Sequence, residues 1–172
     1  LLEGTKRVFT LALKAPTGSV KNQKLAYVDF GYNKGKIAHS FSAVPKGLSV
    51  AVVEQSRRSE AVASIDKKLY KRSWVENNTG RVKKELSRHL RKGDKKKAKD
   101  TLARYKAKLA GAGRGAGMNL ATPELNQDLD ELEKMTDDAF VGSASERARK
   151  QNSYGKAAYS SGIKAQRKSI KK

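Results

Sequence analysis

The sequence predicts an α+β fold, in which a small antiparallel β-sheet or half-sandwich precedes an amphipathic helical hairpin and further helices. Two observations lead to this prediction. Apolar residues alternate with a period of two up to about Glu54, and they recur with a period near 3.6 from Arg57 onward. A basic amphipathic run is then divided by Gly93 and Asp94, a pair of residues suited to end one helix and cap the next.

Residues 1–55 are predicted to form an antiparallel β subdomain. Turn residues separate four short segments of alternating apolar character, at 5–14, 24–32, 37–44 and 47–54. The alternation places Phe30 and Tyr32 on one face of the second strand. It places His39 and Phe41 on one face of the third. Four strands leave one face and two edges open, so we expect the helices that follow, or a partner, to cover them.

Residues 56–110 are predicted to form a basic helical hairpin region. An apolar stripe at 62–69 indicates a first helix, which the run NNTG at 77–80 is expected to end. Residues 81–109 then form two helices joined at the Gly-Asp hinge. Apolar side chains recur every three or four residues on both helices, which buries one face and leaves lysine and arginine on the other.

A glycine-rich stretch at 111–121 is predicted to be a flexible linker. Its alternating glycines follow a helix rather than a strand, so a phosphate-binding loop is the weaker interpretation. Residues 122–172 contain an acidic helix that begins with Thr122 as N-cap and Pro123 in the first turn. The serine-, glycine- and lysine-rich tail after Val141 is expected to be a frayed helix or partly flexible.

The net charge of +21 over 172 residues is concentrated in the predicted hairpin. Residues 56–110 contain 19 basic and 6 acidic side chains, a net charge of +13. This charge favours an acidic protein, an anionic surface or a nucleic acid as partner, although a solvated helix face accounts for the same pattern. We predict a contact set away from the apolar stripes: Lys83, Lys84, Arg88, Arg91, Lys95, Lys96, Lys99 and Lys106.

No catalytic or cofactor site is predicted. The chain has no cysteine, and its two histidines, His39 and His89, are not at metal-ligand spacing from a second ligand. Six carboxylates at 128–138 lack the spacing and central glycine of an EF-hand loop. No nucleophile is paired with a base, and no apolar run reaches the ~20 residues of a membrane span. We expect a non-enzymatic protein without cofactor, metal, small-molecule substrate or transmembrane segment.

An ordered series of segments runs through residues 5–165: strands ending in GLSVAVVEQ, a helix, the sequence HLRKGDKKKAKDTL, a linker and an acidic helix. The series resembles the C-terminal half of bacterial von Willebrand factor A (VWA) domain proteins of the calcium-activated-channel-like type. Gly93, Asp94 and Ala98 match a helix–Gly–Asp–helix step of that family, and Leu102 fits the same pattern.

The resemblance implies a β-sandwich and a helical segment that follow a metal-binding α/β domain. The metal-ion-dependent adhesion site of the family needs an Asp-x-Ser-x-Ser sequence, which this chain lacks, so no metal-site residue is carried over. We expect the metal-binding half to be lost, cleaved away or carried on another chain. The resemblance implies a scaffold, often in the cell envelope; without it, the absence of cysteine suits the cytoplasm.

Together these features predict a structural or protein-interaction module of a larger assembly, whose cationic helical face contacts an acidic partner, an assembly subunit or a surface. The alternative is an RNA- or DNA-binding basic protein of ribosomal or nucleoid type. Lysine dominates the hairpin and exposed aromatic residues are expected to be few, which favours contact with charge over the reading of bases. Attachment to a membrane surface is weaker, because the apolar stripes lack Trp and Phe anchors.

Overall fold

The computed structural model describes residues 13, 15, 16, 18, 21–34 and 36–168. The chain divides into two compact units, a β unit within residues 10–64 and a helical unit that begins at Ile65. Small antiparallel sheets precede five helices, so the predicted α+β class is confirmed. The strand predicted at 5–14 lies outside the described residues, apart from Leu13.

The β unit contains two separate pairs of antiparallel strands rather than one four-stranded sheet. Strand β1 (Asn22–Ala26) pairs with β4 (Leu48–Ala51). Strand β2 (Asp29–Lys34) pairs with β3 (Ile37–Ser42). The prediction of a single strand over 24–32 is wrong, because the two halves of that segment pair with different strands. A 3₁₀ turn and the short helix α1 (Arg58–Ala63) follow β4.

The register of β2 and β3 gathers aromatic side chains on one face of the hairpin, as the alternation predicts. Phe30 lies opposite Phe41, and Tyr32 lies opposite His39. Every residue of β3 is exposed, and Phe41 is 55% exposed. A two-stranded sheet offers no second layer of its own, and the expectation that following helices or a partner cover the open face stays a prediction.

Helix α2 (Lys67–Arg91) is continuous, so the break predicted at 77–80 is wrong. The helix begins after Asp66, whose carboxylate accepts a hydrogen bond from a backbone amide of the first turn at 2.9 Å. The side-chain amides of Asn77 and Asn78 each donate to the carbonyl oxygen one turn earlier, at 2.8 Å. These bonds satisfy both asparagines inside the helix instead of in a turn.

The predicted hinge between α2 and α3 (Lys95–Gly115) is confirmed. Gly93 takes a φ of +68°, and the carboxylate of Asp94 accepts a hydrogen bond from a backbone amide of α3 at 3.0 Å. Because α3 continues to Gly115, the flexible linker predicted at 111–121 is wrong over its first half. Glycine is needed at 113, where a Cβ would lie 2.7 Å from a carbonyl oxygen of the following loop.

Two further helices complete the helical unit. Helix α4 (Pro123–Asp138) starts as predicted, with the hydroxyl of Thr122 accepting a backbone hydrogen bond at 3.1 Å. Of the two alternatives expected for the tail, a frayed helix or a partly flexible segment, the structure shows a helix, α5 (Ala144–Lys168). It opens with a reciprocal cap, in which the amide of Ser143 donates to the Glu146 carboxylate at 2.7 Å and the Glu146 amide donates to the Ser143 hydroxyl at 3.3 Å.

The apolar stripes predicted for α2, α3 and α4 meet in one core. Its buried members are Leu86, Leu90, Ala98, Leu102, Tyr105, Leu109, Leu120, Leu125, Leu129, Leu132 and Ala139. The ring of Tyr105 stacks on Trp74 with centroids 6.0 Å apart, and its hydroxyl lies 2.6 Å from that of Thr79. Burial raises the pKa of Tyr105 above its ordinary value. This tyrosine packs, as expected, rather than facing a ligand.

Small residues let α5 lie close against α2. A Cβ on Gly162 would lie 2.9 Å from the carbonyl oxygen of Gly80. A Cβ on Gly155 would lie 3.3 Å from the carbonyl oxygen of Ser87, and the Ser87 hydroxyl donates to the Gly155 carbonyl at 2.6 Å. The seam between the two helices therefore depends on backbone contact rather than on large apolar side chains.

Replacing Gly162→Ala is expected to lower the free energy of unfolding by about 1–3 kcal/mol, because the added methyl group overpacks the seam. Urea unfolding followed by circular dichroism measures this change. Gly111→Ala is the matched control, since Gly111 is also helical but a Cβ there meets nothing within 4 Å. The control is expected to stabilise the chain by up to about 1 kcal/mol. Similar effects of the two substitutions would contradict the close approach.

Candidate partner-binding surface

The acidic helix α4 lies against the basic hairpin and neutralises part of it. The Nζ of Lys99 lies 2.6 Å from an Oδ of Asp137. The Nζ of Lys106 lies 2.8 Å from an Oε of Glu133. Hydrogen bonding to Lys99 holds the pKa of the Asp137 carboxyl below its usual range, so this side chain stays charged at neutral pH. Two members of the predicted contact set are thus engaged within the fold.

Lys83 is buried, so its place in the predicted contact set is wrong. It is 6% exposed, and its ammonium group donates to Asp128 of α4 at 2.6 Å and to Ser161 of α5 at 2.9 Å. Its position contains the signal that we missed: it precedes Leu86 by three residues and Leu90 by seven, which places it on the buried face of α2.

Lys84 also faces the interior of the bundle rather than a partner. Its ammonium group donates to the side-chain carbonyl of Gln166 on α5. Two adjacent lysines of the predicted set are therefore bound within the helical unit. Lys83 forms an ion pair with α4, and Lys84 donates to a side-chain amide of α5. Neither is freely available for an external contact.

The other four predicted residues are exposed around the turn between α2 and α3, and the structure adds an exposed neighbour that we did not predict, Lys92. We call these five residues the hinge surface: Arg88, Arg91, Lys92, Lys95 and Lys96. None of them forms an ion pair with a carboxylate in the described part of the chain. The Nζ of Lys95 lies 5.9 Å from the ring centroid of Phe140, within the range of a cation–π contact.

Some lysines of the hinge surface lie where the dipole of their own helix is unfavourable for a positive charge. Lys95, Lys96 and Lys97 occupy the first turn of α3, which contains no acidic residue. Cations near a helix N-terminus are unfavourable by about 0.3–1 kcal/mol each at exposed sites. Asp94 offsets some of this cost, and its hydrogen bonds with Lys97, first from the backbone amide, lower the pKa of its carboxyl. Folding alone does not favour lysines at these positions.

A cleft lies beside the basic hairpin. A cleft of about 780 Å³ between the end of α3 and α4 is lined by apolar residues, two asparagines and the charged residues Lys106, Arg114 and Asp130. No serine, threonine, cysteine or histidine lines this cleft. Among the described residues, no three histidine, aspartate or glutamate side chains are grouped so that they could hold a metal ion.

In the described part of the chain, no helix has both the length and the apolar character needed to cross a membrane. Comparison with known proteins gave no match to a family model, to a curated protein or to a solved structure. The hinge surface and the contacts of α4 are therefore the observations from which a function can be argued.

Replacing Lys83→Met is expected to lower the free energy of unfolding by about 1–3 kcal/mol, because Asp128 loses its cation. The cost is below that of a fully buried pair, since the Asp128 side chain is 34% exposed and water can solvate it. Urea unfolding of the double variant Lys83→Met, Asp128→Asn should show partial recovery.

Lys96→Met is the control for this substitution, because Lys96 is exposed and has no carboxylate partner among the described residues. Its effect on the free energy of unfolding is expected to stay within about 0.5 kcal/mol. If Lys83→Met cost no more than Lys96→Met, the buried ion pair would not stabilise the bundle.

Proposed function

We propose that this chain is a non-enzymatic structural or protein-interaction module of a larger assembly, and that its hinge surface contacts an acidic protein partner. The observation that carries the proposal is the division of the basic residues. Contacts with α4 and α5 engage four members of the predicted set, Lys83, Lys84, Lys99 and Lys106. The five cations of the hinge surface form no ion pair with a carboxylate of the described residues.

The contact between α4 and the hairpin supports an acidic helical segment as partner. In α4, the side chains of Asp130, Glu133 and Asp137 follow one another at spacings of three and four residues, which places them along one side of the helix. All three pair with lysines of α3, Asp137 with Lys99 and the other two with Lys106. A partner segment with the same spacing of carboxylates can meet the hinge surface in the same way.

Lysine ammonium groups suit this role because each is a compact charge that accepts a carboxylate from many directions. Charges at the end of a bundle also attract an oppositely charged partner before contact, which raises the rate of association. The attraction is screened by salt, with a Debye length of about 10 Å at 0.1 M. The proposal therefore implies binding that weakens steadily as salt is added.

We also propose that the helical unit corresponds to the helical segment of the VWA-domain proteins that the sequence resembles, as a scaffold without the adhesion metal site. In the step that carries the resemblance, Gly93 takes a positive φ and Ala98 is fully buried. These structural roles support a shared hairpin and carry no information about a metal or ligand. The acidic partner would then belong to the same assembly.

Replacing Lys92, Lys95 and Lys96 together by Glu tests the hinge surface. This variant is expected to bind fluorescently labelled poly-L-glutamate about tenfold or more weakly at low salt, measured by fluorescence anisotropy. The fold should be retained, because glutamates in the first turn of α3 complement the helix dipole. The variant therefore separates a loss of binding from a loss of stability.

The matched control reverses three exposed lysines elsewhere, Lys67, Lys68 and Lys108. It changes the net charge of the chain by the same amount, and two of its substitutions also lie in the first turn of a helix. Binding of poly-L-glutamate should fall much less than in the hinge variant. An equal loss in both variants would mean that the total charge binds the probe and that the hinge surface has no special role.

The second candidate is binding of duplex DNA or RNA, which the net charge of +21 favours. Each phosphate that is neutralised steepens the fall of log affinity with log salt by about 0.9. In the same titration, duplex binding that persists near physiological salt and is lost in the hinge variant would favour a nucleic acid over an acidic protein as the partner.

A further inference from the structure

The β2–β3 hairpin exposes an aromatic face that the hinge surface does not explain. We define it by four residues, Phe30, Tyr32, His39 and Phe41. Phe30 and Phe41 stack across the strands with ring centroids 5.5 Å apart and planes inclined by 24°. Tyr32 and His39 stack at 5.0 Å and 16°. Such pairs stabilise a hairpin, but here they also leave Phe41 55% and Tyr32 46% exposed.

The stacks can be extended by a further flat ring. Because the planes are nearly parallel across the strands, Phe41 and Tyr32 each stack one ring face on a partner ring and turn the other face outward. The sheet has two strands, so no third strand lies beside the outer faces of Phe41 and Tyr32 in the described structure.

The surroundings of the aromatic face are cationic. Asp29 is the sole acid between 29 and 42, and it lies opposite Ser42 in the register. Since neighbouring residues of a strand point to opposite sides of the sheet, Asp29 and the adjacent aromatic residue of β2 point to opposite faces. Lys36 in the turn and Lys46 before β4 are both exposed. The hairpin thus combines exposed rings with an exposed lysine in its turn, and its one carboxylate points away from the aromatic face.

We propose that the aromatic face binds single-stranded nucleic acid, with bases stacked on the outer faces of Phe41 and Tyr32 and phosphates near the lysines. A polynucleotide alternates flat bases with anionic phosphates, which matches rings and cations in one place. The two stacks are about 6.6 Å apart along the strands. The outer faces of Phe41 and Tyr32 turn to opposite edges of the hairpin, so an oligonucleotide that engages both crosses the aromatic face diagonally. This surface lies in the β unit, and the proposal does not depend on the hinge surface.

Other occupants fit the observations less well. A second copy of the chain would bring a charge of +21 against an equal charge. An acidic protein or a further layer of sheet would pack apolar side chains against this face. Such packing depends on apolar surface area and does not require a planar ring. Replacing a ring by an aliphatic side chain of similar size therefore distinguishes stacking of bases from apolar packing.

The test compares a labelled mixed-sequence single strand with its duplex, using fluorescence anisotropy and the full chain. Phe41→Leu is expected to lower affinity for the single strand about fivefold or more, because it removes a stacking surface. Affinity for the duplex should not change, since its bases already stack on one another. Phe41→Tyr keeps a ring and should bind as the wild type does. Ser40→Ala, on the opposite face of β3, is the neutral control.

Tyr32→Leu tests the second stack in the same way, and circular dichroism checks that each variant folds. Equal binding by Phe41→Leu and Phe41→Tyr would overturn the proposal, as would a wild type with no preference for the single strand. Self-association that is lost in Phe41→Leu would also overturn it, in favour of a second copy. The hinge variant should leave the ratio of single-strand to duplex affinity unchanged, so the failure of one proposal can be told from the failure of the other.

Discussion

The helical unit depends on the docking of an acidic helix on a basic hairpin. Helix α4 buries Leu125, Leu129 and Leu132 in the core, and this burial brings its carboxylates beside the lysines of α2 and α3. Apolar burial supplies most of the driving force, while the ion pairs fix which face of α4 turns inward. Among the ion pairs of the described residues, that of Lys83 with Asp128 is the least exposed, and after its loss water solvates the remaining carboxylate only in part.

The same docking determines where positive charge remains available. Along the side of the hairpin, α4 and α5 engage the lysines. Around the turn between α2 and α3, Asp94 pairs with Lys97, and the five residues of the hinge surface form no ion pair with a described carboxylate. Three lysines in the first turn of α3 lie where the helix dipole disfavours them. Residues that reduce the stability of their own helix are commonly kept for another purpose, and an acidic partner provides one.

Local signals in the sequence were sufficient for the elements that local chemistry controls. The starts of α3 and α4 follow from Asp94 and Thr122, whose side chains cap the first turn without help from the rest of the fold. The apolar stripes of α2, α3 and α4 identified most of the core for the same reason. The pairing of β2 with β3 follows from alternation and a short turn, so the aromatic residues could be placed on one face.

The features that could not be predicted from the sequence depend on contacts between distant parts of the chain. The sequence does not decide between the two alternatives for α5, because Gly155, Ala158 and Gly162 form its buried face, and such small residues give no strong apolar period. The capping pair at its start, Ser143 with Glu146, was the available signal. The burial of Lys83 depends on a carboxylate 45 residues away. Exposure of the aromatic face likewise depends on whether another layer packs there, which alternation cannot reveal.

The central claim, that docking of α4 leaves the hinge surface as the available cations, can be tested by measuring the reactivity of each lysine. Reductive methylation of the native chain, quantified by mass spectrometry at increasing times, ranks the amines by access. The account predicts rapid modification of Lys92, Lys95 and Lys96, slower modification of Lys99, and protection of Lys83 until the chain unfolds. Modification of Lys83 as fast as that of Lys96 in the folded chain would contradict it.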